Sequence, residues 1–114
     1  MGRSATSHLA MKTDAPSIAK TEVIHVRASG ERVSILAEIG QPYQTPDGFW
    51  RTPVALHGLD GRLCDICGED SLQSLSLAVE MVHRRLASLV EAGEQLLDSE
   101  GSEFPMEAYF ATHD

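Results

Sequence analysis

Cys64-Asp65-Ile66-Cys67 is a C-x-x-C, a spacing that lets two thiolates converge on a zinc ion or on each other as a redox pair. Redox pairs of this kind sit at a helix N-terminus, where the dipole lowers the thiol pKa. This pair instead falls inside an extended run ahead of the predicted helix, and strand residues three apart point to opposite faces. A zinc site would need two more ligands, and His57 and His83 are the nearest offers. A metal- or small-molecule-binding domain centred on Cys64, Cys67 and His57 is therefore one functional reading. The opposing reading is a pair of buried thiols, reduced in a cytoplasm, with no cofactor and no metal.

No other set of side chains forms a catalytic pattern. Ser71, Ser74 and Ser76 lack the G-x-S-x-G elbow, no H-E-x-x-H occurs, and the stretch from Gly58 to Gly61 lacks the lysine of a phosphate loop. The five histidines follow no spacing code, and His25 is expected on the wet face of the first strand. Glu69 and Asp70 are adjacent carboxylates, but they stand where a helix begins, and capping accounts for them. The expectation is a protein that is not an enzyme.

Charge points elsewhere. The 114 residues carry a formal charge of −8, and it is unevenly spread. Residues 1–63 hold seven basic and six acidic groups, whereas residues 64–114 hold two basic and eleven acidic. From Leu86 onward there are seven carboxylates and no Lys or Arg. Such an end repels phosphate backbones and attracts basic surfaces, so direct nucleic-acid binding is disfavoured and a basic protein partner fits the sign. Acidic residues there interleave with large apolar ones. The candidate partner-binding residues are Glu94, Asp98, Glu100, Glu103, Glu107, Tyr109 and Phe110.

These groups must be held by a fold. With 42% hydrophobic and 23% charged residues, the composition is that of one ordinary domain, and no apolar stretch approaches the ~20 residues of a membrane span. Residues 1–20 are rich in Ser, Thr and Ala and lack the apolar core, about 7–15 residues long, of a secretory signal. They are expected to be a flexible tail preceding a single domain over 21–114 in a cytoplasmic protein. Residues 22–28 and 32–39 are β-branched runs around a Ser29-Gly30 turn, with Val33, Ile35, Ala37 and Ile39 alternating against Ser34 and Glu38. A third strand spans 49–57, with Trp50, Thr52, Val54 and Leu56 facing inward. Its Pro53, lacking an N–H, requires an edge or a bulge. Asp60-Gly61 is a hairpin signal, and 62–67 completes the set.

Asp70 or Ser71 as cap, Gln73 as its capping-box partner and Gly93 as left-handed stop frame a helix of about 22 residues. Leu72, Leu75, Val79, Val82, Leu86 and Leu89 form its apolar stripe, widened by Leu77, Ala78, Met81 and Val90. Residues 94–99 read as extended. Ser102–Ala111 reads as a short helix with Pro105 in its first turn, either a lid on the domain or a segment that docks on a partner.

WRTPVALHGL, a turn, LCDICGEDSLQSLSLAVEMVHRRL and the later Gly93 resemble a group of small uncharacterised bacterial proteins, built as a strand meander followed by a helix capped by Asp-Ser-x-Gln. The resemblance covers a third to a half of the chain. It implies the fold and a bacterial or phage-linked origin, and brings no catalytic residue.

The expected architecture is α+β: a four-stranded, mainly antiparallel sheet packed against one long helix, closed by a short C-terminal helix or lid. The expected function is a non-enzymatic acidic protein-binding module of immunity or inhibitor type. A homodimeric structural module, joined through the helix or an open sheet edge, is the third reading.

Overall fold

A computed structural model describes residues 15–110. In chain order the elements are β1 (Ser17–Val26), β2 (Arg32–Gly40), β3 (Tyr43–Gln44), β4 (Trp50–Thr52), β5 (Val54–His57), β6 (Gly61–Arg62), β7 (Ile66–Gly68), α1 (Ser71–Glu91), β8 (Gln95–Leu97) and α2 (Met106–Tyr109). The class is α+β, with antiparallel sheets and one main helix. The main sheet has five strands rather than the expected four, in the order β6-β5-β2-β1-β8, and a second sheet of three strands runs β3-β4-β7.

The extra strands have two origins. β8 is only three residues long, yet it pairs Leu97, Leu96 and Gln95 with Ile24, His25 and Val26 of β1. The run expected over 49–57 is cut at Pro53: Thr52 still pairs with Ile66 of β7, whereas Val54 and Ala55 already face Ile39 and Glu38 of β2. With no N–H, Pro53 cannot extend a ladder. Its carbonyl accepts from the Gly40 amide at 2.9 Å as the chain passes from one sheet to the other. The returning strand is interrupted at the same level. Between Arg62, paired with Ala55, and Ile66, paired with Thr52, stand three residues against two, a bulge made of Leu63, Cys64 and Asp65.

The expected tail ends earlier than Lys20. Ser17–Lys20 belong to β1, where Ala19 and Lys20 pair with Ile39 and Glu38 after a register shift at Ile18. Residues 1–14, the remainder of that segment, lie outside the described residues, as do Ala111 and the last three positions.

Helix α1 begins and ends as its caps dictate. The Asp70 carboxylate accepts the Gln73 amide at 2.8 Å, and the Gln73 side chain accepts the Glu69 amide at 2.7 Å. Gly93, at φ 92°, bends the chain so that the Glu94 amide returns to the Leu89 carbonyl. The buried stripe, however, is Ser74, Ala78, Val82 and Leu86, and Leu72 is 71% exposed. Close approach at the helix start explains the offset. A Cβ on Gly68 would stand 2.5 Å from the Ser74 nitrogen, and the Ser74 hydroxyl bonds that of buried Thr52 at 2.7 Å. Small residues let the helix backbone rest on β7, which turns the larger Leu72 outward.

The core joins Val23, Ile35, Ala37, Ile39, Val54 and Leu56 of the sheet to Ala78, Val82 and Leu86 of α1 and to Leu96, Phe104 and Phe110. Each large apolar side chain removed from water in this way contributes about 1.5–3 kcal/mol. The expected inward face of the third strand holds, with Thr52, Val54 and Leu56 fully buried and Trp50 half-buried. Two polar residues expected on the wet face are buried instead: Glu38 meets His57 at 2.9 Å, and His25 meets Glu94.

Candidate functional site

The C-terminal segment folds back on the domain. After β8 the Asp98 carboxylate accepts the amides of Glu100 and Ser102, each at 2.9 Å, closing a tight turn. The chain then reverses: Glu103 bridges Leu97, and the Phe104 amide donates to the Leu96 carbonyl at 2.9 Å. Phe104 and Phe110 enter the core on either side of α2. Phe110 lies flat on the His83 ring, centroids 4.6 Å apart, and Tyr109 stacks on Phe104 at the same separation.

This reversal makes a cleft of about 640 Å³ between the end of α1, β8 and α2. Its floor is Leu96, Phe104, Pro105 and Met106, with Val90 at one side. Glu94, Glu103 and Glu107 stand on its walls. They come from three places: the residue after the helix stop, the return from the Asp98 turn, and the first turn of α2.

Glu94 is the anchored member. Its Oε1 lies 2.5 Å from His25 Nε2, and that hydrogen bond, ahead of all other influences, holds its carboxyl below the ordinary glutamate range. Glu100, Glu103 and Glu107 are exposed, and among the described residues none has a basic partner within 4 Å. A surface of this kind accepts ammonium or guanidinium groups while its floor receives the methylene stems that carry them.

Of the seven residues that sequence singles out, three therefore share this cleft. Asp98 is occupied by its own turn, Glu100 points to solvent beside it, and Tyr109 is 51% exposed on the far side of α2. Phe110 is buried, so it anchors the segment and is not itself a contact surface. His25, the group that fixes Glu94, is expected from sequence on the wet face and is instead buried. Its two-residue spacing from core Val23 was the available signal.

The C-x-x-C lies elsewhere. Both thiols are exposed, contrary to the expected burial. Cys64 sits on the bulge, and Cys67 stands opposite Arg51 in the small sheet. His57 is bonded to Glu38, and among the described residues no three His, Cys, Asp or Glu side chains are placed to hold a metal ion.

A second polar cleft, of about 540 Å³, adjoins the bulge and is lined by Tyr43, Arg51, Arg62, Leu63, Cys64 and Asp65. Asp65, nearly buried, accepts from Tyr43 Oη at 2.5 Å and from Arg62 at 2.7 Å. Burial first, then this bond to Asp65, pushes the Tyr43 hydroxyl above its ordinary pKa and keeps it a donor. None of the described helices is long and apolar enough to cross a membrane.

A five-stranded antiparallel sheet, a smaller sheet joined to it through Pro53, one crossing helix and an acidic cleft under the returning C-terminal segment define a small α+β domain with a grooved end. The chain belongs to the family described as Domain of unknown function (DUF6968), whose profile matches residues 21–107. That span runs from within β1 into α2 and so includes all three carboxylates of the cleft. No curated protein and no solved structure matches the chain.

Proposed function

We propose that this domain is a non-enzymatic acidic binding module, of the immunity or inhibitor type, acting in a bacterial cytoplasm. It takes a basic segment of a partner protein into the cleft walled by Glu94, Glu103 and Glu107. The observation that carries this reading is the convergence of the three carboxylates over an apolar floor, two of them with no basic partner among the described residues. A lysine or arginine chain entering the cleft would set its stem against Leu96, Phe104 and Met106 and its charge against the walls. The unequal charge distribution adds long-range attraction, since the net −8 is concentrated in residues 64–114.

The test is a residue-resolved titration of the full chain with short Lys- and Leu-containing peptides and with Glu-containing peptides of the same length. The expected result is saturable perturbation of residues 90–107 by the basic series alone, with slower association at high salt and in the Glu103→Gln/Glu107→Gln double variant. Perturbation that is equal for both series, or indifferent to the double variant, overturns the assignment.

A further inference from the structure

The cleft beside the bulge has a composition at odds with the rest of the molecule. In a chain of net charge −8, its lining holds two guanidinium groups and one carboxylate. That carboxylate, Asp65, is already committed to Tyr43 and Arg62. Arg62 is equally committed, with one nitrogen on Asp65 at 2.7 Å and another on the Leu63 carbonyl at 3.1 Å.

Arg51 differs. Its only carboxylate neighbour among the described residues is Asp47, at 4.0 Å. The other oxygen of Asp47 accepts from the Thr45 hydroxyl and the Phe49 amide, which tie it to its own loop. Among the described residues the Arg51 fork therefore keeps donors with no close acceptor. Strand pairing fixes where they stand: Arg51 lies between Tyr43 and Cys67 in one cross-strand row. Directly opposed residues share a face of a sheet, and the opposite face carries Thr52, buried against Ser74 of α1. The row thus belongs to the outer face, open to solute.

We propose that this outer face of the small sheet is a binding site for the oxyanion of a small molecule, with Arg51 as its bidentate anchor and Arg62, held by Asp65, as a second positive wall. Guanidinium groups match carboxylate and phosphate oxygens in pairs, and a cleft of about 540 Å³ holds more than a bare ion, within the size range of small-molecule sites. Leu63 supplies an apolar edge for the body of the ligand. The site is independent of the acidic cleft, and either can fail without the other.

The experiment titrates the full chain with phenyl phosphate, benzoate and benzyl alcohol, which share a ring and differ in the anion. The readout is the amide signals of residues 43, 51 and 62–65. Saturable shifts are expected with at least one anion at a dissociation constant of about 1 mM or tighter, and none with the alcohol. Phenyl phosphate binding the tighter of the two identifies a phosphate monoester as the natural group, and benzoate a carboxylate. Arg51→Gln should weaken binding about tenfold or more and Arg51→Lys by less, since lysine keeps the charge and loses the fork. Arg27→Gln, remote on the β1–β2 turn, should change nothing. Absence of saturable shifts, equal response to the alcohol, or full affinity in both Arg51 variants overturns the proposal.

Discussion

His25 Nε2 and Glu94 Oε1 stand 2.5 Å apart, joining the end of β1 to the first residue beyond the stop of α1. The contact fixes one wall of the acidic cleft to the most central hairpin of the main sheet. Removing it by His25→Ala should let the Glu94 carboxyl rise toward the ordinary glutamate range, because the hydrogen bond from His25 is the main cause of its lowered pKa. A carboxyl-resolved NMR titration of Glu94 measures this directly, and an unmoved midpoint would contradict the assigned cause. Since the folded-state pKa is depressed, the tie stabilises the fold above the ordinary glutamate pKa and is lost as pH falls through the lowered value.

Gly68→Ala tests how closely α1 rests on the small sheet. The new Cβ would lie 2.5 Å from the Ser74 nitrogen and 2.8 Å from its Cα, and neither backbone atom can yield without moving the helix start. The expected loss is about 2–3 kcal/mol, in the range of overpacked interiors. Gly48→Ala is the control: open space surrounds that position, though its φ of 93° is unsuited to a side chain, so the loss should stay near 1 kcal/mol. Denaturant midpoints with unchanged slopes give both values.

The same contact explains what sequence could and could not tell. The ends of α1 are legible because caps act locally: Asp70, Gln73 and Gly93 each do their work within a few residues. The alternation of Ile35, Ala37 and Ile39 likewise announces the buried face of β2. The face α1 buries is not legible from its leucines, because Gly68, Ser74, Thr52 and Ala78 decide it from three elements at once. Pro53 signals an irregularity, but whether the chain bulges or changes sheet depends on β2 and β7 reaching it from opposite sides. The acidic residues are visible as a run, whereas their convergence depends on the bridge from Leu97 to Glu103 and on His25, sixty-nine residues from Glu94. The oxyanion cleft is the least legible feature, being assembled from Tyr43, Arg51 and a three-residue bulge.

Asp60 is held by both Arg85 Nε, at 2.6 Å, and a terminal nitrogen of the same guanidinium, at 3.0 Å, which clasps the β5–β6 turn to α1. The Arg85 bond is the main cause of the lowered Asp60 pKa. Asp60→Asn should therefore destabilise the protein by about 0.5–1 kcal/mol at neutral pH, a modest figure because the pair is partly exposed to solvent, corresponding to about 4 °C in Tm. A depressed carboxyl stabilises above its unfolded pKa, so the gap between wild type and variant should narrow as pH falls through the ordinary aspartate range and vanish below the lowered Asp60 value. Thermal unfolding of both proteins across that range checks the sign. A gap that persists in acid would mean that Asp60 acts through its shape and not its charge.

The C-terminal segment combines two roles that substitution can separate. Phe104 is 3% exposed, its amide pairs with Leu96, and its ring stacks on Tyr109. Phe104→Ala leaves a cavity where the segment meets the sheet, and should cost about 3 kcal/mol. Glu103, its neighbour, is exposed and makes no ion pair among the described residues. Glu103→Gln should then change stability by no more than about 0.5 kcal/mol, and removing one wall charge from an acidic cluster should raise stability slightly if it changes at all. Its effect belongs instead to association with a basic peptide, which should slow and lose part of its salt dependence. Paired denaturation and association measurements on the two variants therefore predict opposite patterns. If Glu103→Gln destabilised the fold as much as Phe104→Ala, the carboxylate would be part of the lid's own architecture, and the wall it forms could not be reserved for a partner.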